Sequence, residues 1–237
     1  MDKYEDLKKL LKESKNIVVF TGAGISVPSG IPDFRSDKGL YNQKYSNYYC
    51  PEEIISHSFF LQHPEEFFKF YGTKMVYPNA KPNLAHRFFA SLKNVKAIVT
   101  QNIDNLHQEA GSQNVYELHG SVKRNYCMKC QKFYDIKEID PCKINYCNCG
   151  GIIKPDVVLY EEALNENVIY NAINAIKNAD TLIVVGTSLT VYPAAGYLRY
   201  FTGQNLVLIN KAATNYDSFA QLVFNEDIIE VIKKISD

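Results

Sequence analysis

The stretch VVFTGAGISVPSGIPDFRS, residues 18–36, decides the fold class of this chain. An apolar β-branched run leads directly into Gly22-Ala23-Gly24, and a strand that ends in this pattern is typical of a turn that binds a dinucleotide pyrophosphate. Val27 replaces the third glycine of the G-x-G-x-x-G pattern, and Pro28 and Pro32 oppose the long helix that usually follows. We therefore predict a phosphate-binding turn and, after it, a loop that closes over a ligand.

A lone G-x-G is weak evidence, because it also fits a plain strand-to-helix turn with glycines for tightness. Two nearby donors favour the binding interpretation. The hydroxyl of Ser26 and the guanidinium of Arg35 can both donate hydrogen bonds to a phosphate.

Three further apolar runs have the composition of strands buried in a parallel sheet: residues 95–104 (VKAIVTQNID), 180–189 (DTLIVVGTSL) and 205–210 (NLVLIN). A helical stretch at residues 165–179 separates the first two from each other, as expected for crossover connections in an α/β fold. Ligands of such sheets bind outside the carboxyl ends of the strands. This rule collects four segments along one edge: Gly22 to Ser26, Gln101 to Asp104, Gly186 to Ser188, and Asn210.

Charge and hydropathy exclude several classes of protein. The 237 residues contain 26 lysines and arginines and 26 aspartates and glutamates. Without a global positive field, neither nucleic acid nor an anionic membrane is an expected partner. The first 15 residues are charged throughout, and no apolar run approaches the roughly 20 residues that a membrane span needs. The sequence therefore predicts a cytoplasmic protein.

Five of the six cysteines lie between residues 127 and 149, and four of them have the spacing of a zinc site. Cys127 and Cys130 form one knuckle, and Cys147 and Cys149 form a second that has one intervening residue where two are commoner. Cys142 is an alternative to Cys147, which we prefer because it leaves the shorter gap before Cys149. Four thiolates leave zinc no open position, so the metal is predicted to be structural.

Two stretches do not fit the alternation of strands and helices. Residues 39–79 are rich in aromatics at helical spacing, and residues 127–151 contain five of the six cysteines. Both are predicted to be insertions that form a smaller second lobe.

In the same order along nearly the whole chain, the motifs resemble those of the sirtuins, NAD-dependent protein-lysine deacylases, in their short bacterial form. The resemblance implies an α/β fold with a Rossmann-like parallel-sheet domain at residues 1–38, 80–121 and 154–237. It implies a smaller zinc-binding and helical lobe at residues 39–79 and 122–153, with NAD and an acyl-lysine peptide meeting in the cleft. The matching motifs are Gly22 to Ser26, Gly30 to Arg35, Thr100 to His107, Leu118 to Gly120, the cysteine knuckles, Lys154 to Val158, Gly186 to Leu189 and Leu208 to Asn210.

The resemblance also assigns catalytic residues. Cleavage of the bond between nicotinamide and ribose builds positive charge on the sugar, so the site needs electrostatic stabilisation and a shielded face. His119 is expected to be the general base, because imidazole titrates near neutral pH. Asn102 and Asp104 are expected to position ribose and nicotinamide. We interpret the other four histidines, His57, His63, His86 and His107, as core residues.

Binding residues are implied along both walls of the cleft. Gln101 and His119 would bracket the ribose hydroxyls, and Phe34 and Ile103 would form apolar walls around the nicotinamide. The remaining NAD residues implied are Gly22, Ala23, Gly24, Ser26, Arg35, Gly186, Thr187, Ser188, Asn210, Asp227 and Ile228. The peptide is expected to add as a strand beside residues 157–162, with Val158, Leu159 and Tyr160 as its contacts.

One departure from the family lies in that segment, where Phe-Gly-Glu is usual and this chain has Tyr160-Glu161-Glu162. The extra carboxylate of Glu161 either favours basic residues near the target lysine or is a solvated surface charge. We leave the two alternatives open here.

The function implied is NAD-dependent removal of acetyl or other uncharged acyl groups, which yields nicotinamide, free lysine and O-acetyl-ADP-ribose. Members that remove succinyl or malonyl groups carry Tyr-x-x-Arg, and Lys74 after Tyr71 lacks the bidentate fork that binds a carboxylate. The alternatives are mono-ADP-ribosyl transfer to a protein and a non-catalytic NAD-sensing module. The presence of His119 and Asn102 argues against ADP-ribosyl transfer as the main activity, and the full set of polar residues expected in the cleft argues against a non-catalytic module.

Overall fold

A computed structural model of the chain describes residues 2–34, 36, 39–42 and 48–236. Its helices are α1 (Lys3–Glu13), α2 (Pro51–Ile54), α3 (His57–Gln62), α4 (Pro64–Lys74), α5 (Leu84–Ser91), α6 (Leu106–Glu109), α7 (Glu166–Asn178) and α8 (Ile228–Ser236). Its strands are β1 (Ile17–Thr21), β2 (Val95–Thr100), β3 (Val115–Glu117), β4 (Gly120–Cys127), β5 (Phe133–Asp135), β6 (Ile153–Val157), β7 (Thr181–Val185), β8 (Asn205–Ile209) and β9 (Leu222–Phe224).

Six strands form one parallel sheet in the order β3-β2-β1-β7-β8-β9. This is the strand order of a Rossmann-like sheet, whose topological switch point lies between β1 and β7. The predicted α/β class and the four predicted strands are confirmed. The short edge strands β3 and β9 were not predicted, because three residues are too few to show a hydrophobic period.

The sheet is buried on both faces, which explains why its strands are continuous apolar runs. On one face, Val18, Phe20 and Val184 pack against Ala172 and Ile176 of α7. On the other face, strand residues pack against α1, α5 and α8. Alternate residues of each strand therefore serve opposite cores, and the polar residues are left at the strand ends.

A separate aromatic core lies under α2, α3 and α4. Phe60 meets Phe67 edge to face at 5.0 Å between ring centroids, and Tyr71 stacks on Phe67 at 5.9 Å. Val157 and Leu159 belong to the same core. The residues that leave β6 are therefore packed on the helical cluster rather than on either face of the large sheet.

The cysteine-rich segment forms a three-stranded antiparallel sheet in the order β5-β4-β6. Cys127 and Cys147 are buried there beside Ile153. Cys142 lies against Gly72, which joins this small sheet to α4. The residue boundaries of the two lobes remain a prediction.

Among the described residues, no helix combines the length and the apolar character that crossing a bilayer would require.

Candidate active site

A cleft of about 890 Å³ opens at the carboxyl ends of β1, β2 and β7. Its volume lies within the range of about 300–1,000 Å³ that is typical of cofactor and ligand pockets. The sequence-predicted residues that line it are Gly22, Ala23, Gly24, Ser26, Phe34, Gln101, Asn102, Ile103, Asp104, His119, Val158, Leu159, Tyr160, Gly186, Thr187, Ser188, Asn210, Asp227 and Ile228. Arg35, the other predicted NAD residue, lies outside the described residues.

The glycine turn is packed tightly against the loop after β7. A Cβ atom on Gly24 would lie 2.7 Å from the Cα of Gly186, whose φ of +62° itself favours glycine. The turn continues as a 3₁₀ helix, Ala23–Ser29, which ends at Gly30. The two glycine-containing loops therefore form one surface, and a short 3₁₀ helix stands where a long helix usually follows such a turn.

His119 lies between β3 and β4 with its ring half-buried. Its Nδ1 lies 2.9 Å from the carbonyl oxygen of Gln101, which can only accept, so Nδ1 carries the hydrogen. Nε2 then keeps its lone pair. Burial lowers the pKa of His119 from its ordinary value, and the bond to Gln101 opposes this only in part. A neutral imidazole with a free Nε2 lone pair is the form that accepts a proton.

A short hydrogen-bond chain links three polar side chains of the sheet edge. The Asn102 side-chain amide donates to Ser26 Oγ at 3.1 Å, and Ser26 Oγ donates to Asp104 Oδ2 at 2.6 Å. Asp104 Oδ1 accepts from the backbone N–H of Leu106 at 2.9 Å. Burial raises the pKa of the Asp104 carboxyl, although these donors oppose the shift. Asp104 thus fixes Ser26 and the loop, and Asn102 is oriented through Ser26.

A second polar chain, which the sequence did not predict, supports this loop from below. The N–H of Asn102 donates to Thr100 Oγ1 at 3.0 Å, and Thr21 Oγ1 donates to Thr100 Oγ1 at 2.8 Å. His107 Nε2 lies 3.0 Å from Thr21 Oγ1 and must be the donor, since that hydroxyl hydrogen is already used. The threonine that ends each of two paired strands is the sequence signal that could have revealed this chain.

Two histidines lie in the core, as predicted, and two do not. His86 and His107 are buried ring against ring, and burial lowers their pKa values to about 4 and about 3. His63 is exposed, and the half-exposed His57 is paired with Glu162. The core interpretation is therefore wrong for His57 and His63, because α3 and its ends lie on the surface of the helical cluster.

The predicted phosphate and adenosine residues are positioned by bonds to their neighbours. Gln101 Nε2 donates to Thr187 Oγ1 at 3.0 Å, and Ser188 Oγ lies 2.7 Å from Thr190 Oγ1. At the far end of the cleft, Asp227 caps α8 through the N–H of Ile229 and pairs with Lys211 at 2.9 Å. Hydroxyl and amide groups thus dominate the predicted phosphate-binding residues, and the ion pair of Asp227 with Lys211 lies at the end of the cleft.

Apolar side chains close the centre of the cleft. Phe34 and Ile103 both pack against the aromatic core of the helical cluster, and the ring of Phe34 lies 5.4 Å from that of Tyr41. Tyr71 is fully buried in the same core, and its hydroxyl has no hydrogen-bond partner among the described residues. Lys74 is half-buried and lines the cleft.

The four predicted metal ligands meet at one point. The Sγ atoms of Cys127, Cys130, Cys147 and Cys149 all lie within 4.8 Å of one another. Tetrahedral zinc with Zn–S bonds of about 2.3 Å separates its sulfur ligands by about 3.8 Å, so the cluster fits this ion. Cys142 lies against Gly72 instead, outside the cluster. The cluster lies at the end of the small sheet and is absent from the lining of the cleft, as expected for a structural metal.

Comparisons with known proteins agree with this geometry. Residues 22–193 match the model of the Sir2 family. The chain is 59% identical to an NAD-dependent protein deacetylase of Clostridium perfringens, over 100% of this chain and 99% of that protein. It is 55% identical to the protein of the same name from Clostridium acetobutylicum, over 99% and 98% of the two chains. A solved structure of a His-to-Ala variant of Sir2, with deacetylated p53 peptide and 3′-O-acetyl ADP-ribose, superposes with a TM-score of 0.88 at 38% identity, over 99% of this chain and 97% of that one.

Proposed function

The chain belongs to the Sir2 family, and from this premise we propose how its own residues perform NAD-dependent protein deacetylation. The chain is an enzyme of that class, and its substrates are proteins or peptides that carry acetyl-lysine. The single observation that carries the residue assignments is the hydrogen bond from His119 Nδ1 to the Gln101 carbonyl. It leaves a proton acceptor facing the cleft at the carboxyl edge of the sheet.

NAD, when bound, supplies the ADP-ribosyl group to which the acetyl group is transferred. We assign the pyrophosphate to the surface formed by Gly22 to Gly24 with Gly186 to Ser188, where backbone and hydroxyl donors meet. The adenosine is assigned to the end of the cleft at Asn210, Asp227 and Ile228. Phe34 and Ile103 exclude water from the centre, so the electrostatic interactions made there act in a low dielectric.

His119 acts as the general base. Its Nε2 takes the proton of a ribose hydroxyl, which makes that oxygen able to attack the acetyl carbon. The Gln101 carbonyl holds the ring in the tautomer that this step needs and stabilises the imidazolium that results. Burial lowers the pKa of His119, which favours the neutral imidazole that a general base needs.

Asn102 acts earlier, where the bond to nicotinamide breaks. Its amide is fixed by Ser26 on one side, and its backbone is fixed by Thr100. A polar group held in this way loses little free energy to reorganisation when charge develops on the sugar. Asp104 serves chiefly to hold Ser26 and the loop.

We propose that the acyl-lysine peptide adds as a strand beside Val158, Leu159 and Tyr160. The N–H of Val158 donates to the carbonyl of His119 at 3.0 Å, which couples this segment directly to the base. A peptide laid along the segment would present its acyl-lysine to the apolar centre of the cleft. An uncharged acyl group suits that centre best.

Zinc would be held by the four clustered cysteines, and it would stabilise the end of β4 and β6 without taking part in the reaction. We also propose that the protein acts in the cytoplasm. The six cysteines form no disulfide in the structure, which is typical of proteins in reducing compartments.

Labelled NAD, incubated with an acetyl-lysine peptide and the zinc-loaded protein, tests the function. We expect labelled O-acetyl-ADP-ribose and free nicotinamide in equal amounts with deacetylated peptide. Label attached to protein would instead indicate mono-ADP-ribosyl transfer, and the absence of any NAD consumption would indicate a non-catalytic module.

A further inference from the structure

We propose that Glu161 is a positioning residue for the acyl-lysine peptide, because its carboxylate locks the segment Val158–Glu162 onto the start of α3. This inference rests on the proposed function, in which the peptide adds along that segment. It concerns how the segment is held, which neither the reaction nor the zinc site explains.

The backbone of Glu161 is in the left-handed region, with φ of +74°. Residues other than glycine, asparagine and aspartate rarely adopt this conformation, because their Cβ atom comes too close to the following carbonyl oxygen. A glutamate in this conformation needs compensating interactions from the structure around it.

The compensating interaction is a paired hydrogen bond to Ser58. The backbone N–H of Ser58 donates to Glu161 Oε2 at 2.8 Å, and Ser58 Oγ donates to Oε1 at 3.0 Å. Ser58 is the second residue of α3, where backbone N–H groups have no partner within the helix. Glu161 therefore supplies an acceptor that α3 needs, and α3 supplies two donors that hold Glu161 in its strained conformation.

The neighbouring residues Tyr160 and Glu162 bind the same end of the helical cluster. We call these contacts, together with those between Glu161 and Ser58, the seam. Tyr160 donates its N–H to the carbonyl of Ile55 and accepts from the N–H of His57, each at 3.0 Å. Glu162 lies 2.8 Å from His57 Nδ1 and accepts from Lys154 Nζ at 3.1 Å. The Tyr160 and Tyr41 hydroxyls lie 2.8 Å apart. One edge of the segment is thus fastened to the helical cluster, and we place the peptide along the opposite edge.

This arrangement differs from both alternatives that the sequence left open. Both carboxylate oxygens of Glu161 accept hydrogen bonds from Ser58, which gives the group a structural role that neither alternative includes. Its role is to fix the direction of the chain after Tyr160. A shift there would move Val158 and Leu159, which line the cleft.

Three substitutions at this position separate the left-handed backbone from the hydrogen bonds. Glu161→Gln keeps an acceptor for the N–H of Ser58, Glu161→Gly removes the side chain and also the backbone strain, and Glu161→Ala removes the side chain and keeps the strain. We expect the peptide KM to rise in the order Gln, Gly, Ala, from less than about twofold to about tenfold, since each lost hydrogen bond is worth about two- to tenfold. The KM for NAD should change less than about twofold.

The assays use two acetyl-lysine peptides, one with basic and one with neutral flanking residues, and the two should respond alike. Glu138→Ala is the matched control. Its carboxylate also caps a short helix, by accepting from the N–H of Asp135 at 2.7 Å, but this helix follows β5 in the cysteine-rich segment and lies outside the cleft lining. This control should leave both KM values unchanged.

Three results would overturn the proposal. A rise confined to the basic peptide, and shared by Glu161→Gln, would mean that the carboxylate reads basic residues. An unchanged KM in Glu161→Ala would mean a solvated charge, and equal rises for NAD and peptide would mean general loss of structure. Titration of a fluorescent acetyl-peptide gives the same ratios without turnover. Failure of the wild-type protein to deacetylate would therefore reject the proposed function separately.

Discussion

The sheet edge and the segment Val158–Glu162 line the same cleft, but different interactions hold them in place. At the sheet edge, strand register brings Thr21 opposite Thr100, and hydrogen bonds between side chains at the strand ends orient Asn102. The opposing segment is not part of the large sheet and is fastened by Ser58 and His57 of α3. The sheet edge is therefore built for fixed electrostatics, whereas the segment is held at the surface by bonds that water can compete for.

This difference predicts a division of labour. Substitutions at the sheet edge should change the chemical steps, because they alter groups that act on bonds being broken or on protons being moved. Substitutions in the segment and its seam should change peptide binding. A measurement in which both kinds of substitution had the same kinetic effect would remove the distinction.

The largest effect is expected at His119. His119→Ala should lower deacetylation by the roughly 10²- to 10⁴-fold that a general base contributes. Exchange of labelled nicotinamide into NAD, measured with acetyl-peptide and saturating NAD, should fall much less, because it reports bond cleavage without the later proton transfer. His63→Ala, which changes an exposed histidine, is the control. Equal losses of exchange and deacetylation would mean that His119 positions ribose or supports the fold.

Asn102→Ala sharpens the same comparison within the sheet edge. Because Asn102 acts where the first bond breaks, exchange and deacetylation should fall together, by about 10²-fold if it resembles other fixed polar groups at developing charge. Ser26→Ala should also lower the rates of exchange and deacetylation together, but by a smaller factor, since it removes only the group that orients Asn102. A loss of deacetylation with normal exchange would move Asn102 to the second step.

The sheet edge and the segment Val158–Glu162 also differ in how much of their structure the sequence predicts. The ends of β1, β2 and β7 could be placed together because parallel strands bring their carboxyl ends to one edge, so Gly22, Asn102 and Gly186 were predicted as neighbours. The seam could not be predicted, since Ser58 and Glu161 are distant in sequence and carry no pattern that pairs them. The support by His107 was missed for a related reason. A buried histidine has the same sequence signature whether or not it donates to a strand end.

Loss of zinc tests how the segment Val158–Glu162 is supported, because β6 runs from the cysteine cluster directly into Val158. Cys130→Ala should lose zinc, with an affinity loss beyond the roughly 10- to 100-fold typical of outer-shell changes, since it removes a ligand. The peptide KM should rise, while the core of the large sheet stays folded. Cys142→Ala is the matched control and should keep one zinc per chain. Full zinc occupancy in Cys130→Ala, measured by metal analysis, would refute the ligand assignment.

The pH dependence compares the two steps without any substitution. Because burial lowers the pKa of His119, deacetylation should be flat near pH 7 and should fall about tenfold per pH unit only below a midpoint under the ordinary value of about 6.5. Nicotinamide exchange should not fall with this midpoint. A loss of exchange at low pH should instead follow protonation of the buried Asp104 carboxyl, which holds Ser26. A midpoint above 6.5 would contradict the burial of the base.

The smallest effect is expected at Tyr71, which is buried in the aromatic core of the helical cluster and does not line the cleft. Its hydroxyl is fully buried and has no hydrogen-bond partner among the described residues, and burial raises its pKa, so the group is neutral. Tyr71→Phe should therefore leave deacetylation unchanged and raise the free energy of unfolding by up to about 1 kcal/mol, because it removes an unpaired buried polar group. Urea unfolding and rates on acetyl- and succinyl-lysine peptides measure both effects. If the wild-type enzyme removes succinyl groups faster than acetyl groups and Tyr71→Phe abolishes that preference, the hydroxyl binds a carboxylate in the occupied cleft. The proposed specificity for uncharged acyl groups would then be wrong, and α4 would take part in substrate selection as directly as the sheet edge takes part in chemistry.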